Sequence, residues 1–171
     1  MTTTTRRAIP TDAPAMCATL NEIIAIGGTN AHQRPFDAER MEHHYITDPH
    51  IISTTVAEVD GVFAGFQCLA RPDPNYQGPD AMPADWSYIA RFVKGGMTGH
   101  GSGKALFADT SASGQACGAV AIDATIRADN ASGLRFYAAL GFQDFAVVKD
   151  VPLRDGTIVD RVRKVYTLRA H

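Results

Sequence analysis

Residues Thr98 to Phe107 read Thr-Gly-His-Gly-Ser-Gly-Lys-Ala-Leu-Phe, with three glycines in five positions. They follow a strand-like run, Trp86 to Val93, and open a helix-like run. A strand, a glycine loop and a helix start together form a place for an anion. The glycines let successive backbone N–H groups converge, and the helix dipole adds partial positive charge at the same point. A phosphorylated ligand is the expectation. A second group of residues could do chemistry further on. Asn130 can cap a helix that carries Leu134, Phe136, Tyr137 and Leu140, and Gly141 closes it. A helical tyrosine on an apolar face is ordinarily a core residue, so Tyr137 gains meaning only beside the glycine loop.

Three kinds of loop compete for the glycines. A Walker A loop takes Gly103-Lys104 but needs Gly at 98 and a hydroxyl at 105, where the chain has Thr98 and Ala105. No loop ligand for magnesium is then left. A dinucleotide fingerprint takes Gly99 and Gly101, but its third glycine falls one residue early at Gly103. Asp123 stands roughly where a ribose-binding acid is expected, yet the flanking segments read as hairpins. In the third reading Thr98, Gly101, Gly103 and Leu106 occupy the positions of the pattern [QR]-x-x-G-x-[GA] with its following leucine, and the segment resembles the acetyl-CoA loop of the GNAT (GCN5-related N-acetyltransferase) superfamily. Thr98 departs from the usual Gln or Arg, which matters less where main chain holds the ligand. The run Asn130 to Phe142 resembles the superfamily's N-x-x-[AG]-x-x-[FL]-Y-x-x-x-G-F helix and is the more specific match. Asn21-Glu22-Ile23-Ile24 and Gly28-Thr29-Asn30-Ala31 resemble the branch containing phosphinothricin and amino-acid acetyltransferases.

The resemblance implies acetyl-CoA as cosubstrate, no metal, and direct transfer of the acetyl group to a primary amine of a small molecule or amino acid. It implies that Thr98, Gly99, His100, Gly101, Ser102, Gly103 and Lys104 hold the pyrophosphate. Phe92 and Val93 then offer backbone bonds to the pantetheine arm, with Asn130, Phe136 and Tyr137 completing the cofactor site. Tyr137 holds the position of the general acid. A phenol near 10 facing a thiol near 8.5 can serve that role. The base is less defined. The branch carries a Glu on its fourth strand, where this chain has Tyr88. Asp85 is near, at the strand's entry, Glu22 and His32 could reach the site from the first helix and its following loop, and some members let water relay the proton. The weak base region keeps a second reading open, a catalytically silent acyl-CoA-binding module.

The elements that position these residues follow from pattern. Arg6 to Ile9 reads as a strand. Thr11 caps a helix to about Ile26, ended by Gly27-Gly28. Asp37 to about Thr47 is a second helix, on which adjacent His43 and His44 point in different directions and read as surface rather than metal ligands. Ile51–Glu58 and Val62–Ala70 are strands joined by Asp60-Gly61, a hairpin signal. Arg71–Asp85 holds four prolines and is a loop. Gly101 to Gly118 is a helix, Gly118 to Ala124 a strand, and Phe145–Val151 with Val159–Leu168 a last hairpin. This order implies the GNAT fold: an α/β domain, residues 1–171, with 1–5 as a flexible lead. A central mixed, mostly antiparallel twisted sheet of about seven strands, splayed between the fourth and fifth, is flanked by about four helices.

Composition bounds the rest. The chain has 171 residues, 45% of them apolar, and a formal charge of −2, which suits one domain with a real core. No basic patch points to nucleic acid. No apolar run reaches the length of a membrane span and no signal peptide is evident. Cys17, Cys68 and Cys117 are widely spaced and read as reduced thiols of a cytoplasmic protein. A homodimer is expected from the resemblance.

Overall fold

The computed structural model describes residues 1–169. Seven strands form one sheet in the order β1-β2-β3-β4-β5-β7-β6. They are β1 (Thr3–Arg7), β2 (Ile51–Val59), β3 (Val62–Ala70), β4 (Trp86–Val93), β5 (Ala121–Arg127), β6 (Gln143–Pro152) and β7 (Ile158–Thr167). Four helices, α1 (Ala13–Ile26), α2 (Ala38–Glu42), α3 (Ser102–Ala116) and α4 (Ala131–Ala139), cover it. The element order is the one the sequence implies.

Period-two alternation divides the core into two layers. Phe66, Cys68 and Ala70 of β3 join Phe92 of β4 under α1 and α2, with Met16, Leu20, Met41 and Tyr45. Leu69 and Ile89 face the other way, with Phe107, Ile122, Tyr137 and Phe142. The β2–β3 turn is tight because Asp60 (φ 50) and Gly61 (φ 77) both take positive φ, as a two-residue hairpin of this twist requires.

One irregularity matters for function. All strand pairs are antiparallel except β4 with β5, and these are parallel over only Trp86–Tyr88 against Ala121–Asp123. Beyond Tyr88, β4 continues along β3 as far as Val93 opposite Gly65. Beyond Asp123, β5 continues along β7 to Arg127 opposite Arg161. A wedge-shaped gap therefore opens in mid-sheet, leaving one edge of β4 without a strand partner.

Several boundaries differ from the sequence reading, among them the strand expected over Gly118–Ala124, which runs Ala121–Arg127. The first strand is Thr3–Arg7 rather than Arg6–Ile9, so Thr3, Thr4 and Thr5 are not a flexible lead. They pair with Val59, Glu58 and Ala57, as a β-branched run favours. Thr11 lies in a 3-10 turn, Pro10–Asp12, instead of capping α1. Asp12 accepts the Ile9 N–H and two bonds from Arg6, and this fixes the turn. The second helix is α-helical only to Glu42 and then widens into a π turn, His43–Thr47. Tyr45 is the buried residue of that turn, at 4% exposure. The three cysteines are free.

Candidate active site

The glycine loop is built by three different demands. Gly99 (φ 84) and Gly101 (φ 80) need the left-handed region, and a Cβ at either would meet nothing. Gly103 has an ordinary φ but no room. A Cβ there would lie 2.6 Å from the Phe136 ring and 3.4 Å from an Arg91 guanidinium nitrogen. Gly101 caps α3 without any side-chain bond. By contrast α2 and α4 begin on Asp37 and Asn130, whose side chains accept from Arg40 N and Gly133 N. The first N–H groups of α3, at Ser102, Gly103 and Lys104, are thus available to an anion. The Thr3 hydroxyl donates to the His100 carbonyl over 2.9 Å and ties the loop to β1.

The wedge connects this loop to two crevices. The smaller, about 270 Å³, runs between the C-terminus of α1, the end of β4 and the start of α4, and Glu22, Phe92, Val93, Thr98 and Gly133 line it. The larger, about 350 Å³, is lined by His32, Tyr45, Asp80, Met82, Tyr88, Asp123, Thr125, Arg161 and Tyr137. Arg91, Phe92, Asn130, Thr29 and Asn30 border both.

Tyr137 is 7% exposed, with its ring edge-on to Phe136 and Phe142 at 5.1 Å each. Burial pushes its phenol above the ordinary value, and the nearby Arg91 guanidinium partly opposes that. Sequence reasoning missed Arg91. It sits over the Phe136 ring at 3.5 Å, and an arginine inside the apolar run Ile89–Val93 was the available signal.

Of the residues expected near the base, His32 and Tyr88 share the larger crevice, and Glu22 and Asp85 stand outside it. Tyr88 lines the larger crevice. Glu22 is exposed and faces the smaller one, with Oε1 3.0 Å from where a Cβ of Gly95 would be. Asp85 is exposed at the start of β4, where its carbonyl accepts the Val120 N–H. His32 does reach the larger crevice. Its Nε2 is 2.8 Å from the Tyr45 hydroxyl, and burial pulls it down to about 4, so it is neutral near pH 7. Such a weak base is poorly matched to an ammonium proton. It suits the role of hydrogen-bond partner to Tyr45. The His44 ring packs edge-on against Tyr45 at 4.5 Å.

The family model for the acetyltransferase (GNAT) family matches residues 18–142, well over half the chain. The chain belongs to the GNAT acetyltransferase family. No curated protein gives a significant sequence match. Among solved structures, an N-acetyltransferase from Staphylococcus aureus Mu50 superposes with a TM-score of 0.83 at 20% identity, covering 99% of this chain and 100% of that one. A GNAT phosphinothricin acetyltransferase from Sinorhizobium meliloti, in complex with AcCoA, gives 0.81 at 20%, covering 98% and 89%. A GCN5-related N-acetyltransferase from Kribbella flavida gives 0.77 at 24%, covering 96% and 97%. At these identities the likeness is one of fold. The seven-stranded sheet with its gap between β4 and β5 is the GNAT fold.

In this GNAT chain Asn130 has two jobs. Its Oδ1 accepts the Gly133 N–H at 3.0 Å and caps α4, while its Nδ2 donates to the Thr29 carbonyl at 3.0 Å. Arg127 donates to the Asn30 carbonyl at 3.3 Å. The two side chains strap the α1–α2 loop across the wedge. Asn130→Asp keeps the capping acceptor and loses the donor to Thr29. We expect N130D to unfold within about 0.5 kcal/mol of wild type and N130A to lose about 1–2 kcal/mol. Both should bind ligand in the larger crevice more weakly. Denaturant midpoints measured beside acceptor KM separate the two jobs. An N130D acceptor KM equal to wild type would show that the strap does not shape the crevice.

Proposed function

We propose that the protein transfers the acetyl group of acetyl-CoA directly to a primary amine of a small molecule, an amino acid being the favoured class. The observation that carries this reading is the alignment of three features in a GNAT chain. An uncapped glycine-turned helix start, an unpaired strand edge and an aromatic, polar crevice meet at the wedge. The fit to acetyl-CoA is good. The amides of Ser102, Gly103 and Lys104 suit a pyrophosphate, Gly103 lets the start of α3 sit close against Phe136 and Arg91, and the free edge of β4 at Phe92 and Val93 can bond an amide-bearing arm as an added strand would. Bound acetyl-CoA would supply an activated acyl carbon and a thiol leaving group. Backbone N–H groups of β4 stabilise negative charge as it develops on the acyl oxygen, and Tyr137 donates the proton that the leaving sulfur requires.

The acceptor side also has a charge pattern. Asp80 and Arg161 stand 3.7 Å apart, each about one-quarter exposed, and the Tyr76 hydroxyl donates to Asp80 at 2.5 Å. A loose, half-open pair of this kind offers one anion and one cation to a substrate bearing both an ammonium and a carboxylate. Neither Glu22 nor Asp85 faces this crevice, His32 is too weak a base, and the crevice carboxylates Asp80 and Asp123 are each paired with an arginine, so the amine proton leaves through water. The expected pH dependence follows. With a series of amino acids, acceptor kcat/KM should rise tenfold per pH unit up to the acceptor's own ammonium pKa, with no earlier plateau near neutrality. A plateau between pH 6 and 8 common to all acceptors would reveal an enzyme base instead.

The lack of a well-placed base also favours a second reading, a silent acyl-CoA-binding module. Acetyl-CoA turnover over an amine panel, read as CoA thiol released, distinguishes them. Tight acetyl-CoA binding by calorimetry with no acceptor turned over would select the binding module.

A further inference from the structure

Arg91 is a half-buried cation in an electrostatically awkward place. Its guanidinium lies over Phe136 at 3.5 Å and against the first turn of α3 at Gly103. That is the positive end of a helix, where a cation is disfavoured. Among the described residues no carboxylate comes within salt-bridge distance of it, whereas Arg6, Arg127, Arg161 and Arg163 all have acidic partners. Burial pulls the guanidinium down from its ordinary value, although arginine stays charged. A desolvated charge without a partner is costly, and a fold that keeps one has a use for an anion at that spot. The neighbour that points to which anion is Tyr137, which packs at 5.1 Å against the Phe136 ring that Arg91 covers and whose phenol feels the Arg91 charge. Both residues border the larger crevice at the wedge.

We propose that Arg91 is the fixed positive charge that receives the sulfur anion as the thioester breaks, with Tyr137 delivering the proton. The proposal rests on the acetyltransferase reading above. In the step, the amine nitrogen forms the C–N bond and the C–S bond breaks with its electron pair left on sulfur. Tyr137 passes its phenolic proton to that sulfur and is reprotonated from solvent. Arg91 keeps its own proton throughout and lowers the energy of the anion by charge and hydrogen bonding. The same charge makes the proton transfer easier by stabilising the phenolate left on Tyr137.

The test uses CoA itself as the probe. The ultraviolet thiolate absorbance of CoA bound to the full chain is titrated in wild type, R91Q and R91K, with desulfo-CoA as the blank. Bound wild type should titrate below free CoA. R91Q should titrate above wild type by about one pKa unit, a tenfold shift in the thiol–thiolate ratio, and its kcat should fall at least tenfold at unchanged acceptor KM. R91K, which keeps the charge and guards against a folding artefact, should fall between. CoA that binds with the same thiol titration in wild type and R91Q overturns the assignment and leaves the acetyltransferase reading standing. R91Q that only weakens CoA binding, with the thiol unmoved, also overturns it, because Arg91 would then serve the phosphates. A wild-type chain that binds no CoA overturns both.

Discussion

Tyr137→Phe is expected to lower kcat by about 10²-fold or more, the usual contribution of a positioned general acid, while KM for acetyl-CoA stays within a few-fold. The ring is kept, so its edge-on packing with Phe136 and Phe142 at 5.1 Å survives. Only the hydroxyl is lost, a stability change of about 1 kcal/mol. The pH dependence has a definite sign. Burial holds the phenol above its ordinary value, so the competent, protonated form is present throughout the neutral range. Once the acceptor is saturating and its ammonium deprotonated, wild-type kcat should fall only above about pH 10, and the variant should show no such fall. Initial rates of CoA release from pH 7 to the alkaline limit of stability check this. A variant within threefold of wild type across that range would remove Tyr137 from the proton path and leave it a core residue.

The parts of the site legible in the sequence were those carried by short, local patterns. Gly99, Gly101 and Gly103 announce a loop because two of them need positive φ and the third needs an absent side chain. Asn130 and Gly141 mark the ends of α4 because capping is local chemistry. Trp86–Val93 was bounded as the structure has it, with prolines before it and glycines after. What escaped depended on distant partners. Asp12 serves Arg6 and the turn before α1, and this leaves Thr11 inside that turn. The role of Asn130 as a strap depends on Thr29, 101 positions away. Arg91 was passed over because an arginine in a strand normally faces solvent. Only the assembled fold shows it pressed between Phe136 and α3. Glu22 and Asp85 fail to meet at Tyr88 because Glu22 lies on α1 against the smaller crevice and Asp85 stays at the entry of β4, placements that only the packing of α1 on the sheet decides.

The largest stability effect should come from Asp123, which sequence reading placed only as a possible ribose ligand. Asp123 is 1% exposed. Its Oδ2 accepts from Arg163 at 2.8 and 3.0 Å, and its Oδ1 accepts from Thr125 at 2.6 Å. Arg163 is also enclosed, with its guanidinium 4.8 Å from the Phe145 ring. The pair stands at the point of parting, since Tyr88–Asp123 is the last rung between β4 and β5. From there β5 has lost one neighbour, and its tie to β7 through Arg163 compensates beside the larger crevice. Asp123→Ala leaves a buried cation with no partner, and such a loss costs about 3–5 kcal/mol, a large fraction of the 5–15 kcal/mol typical of a domain. Asp123→Leu combined with Arg163→Met removes both charges at similar volume and should recover most of that loss. The recovered double variant should still bind its acceptor poorly, because the wedge would be walled by flexible methylenes where a fixed ion pair had set its width. Urea midpoints for Asp123→Ala and the double variant, beside acceptor KM for the double, test both halves. A single variant that loses under 1 kcal/mol would mean that water reaches Arg163, and a double variant with wild-type KM would mean that the width of the gap is set elsewhere.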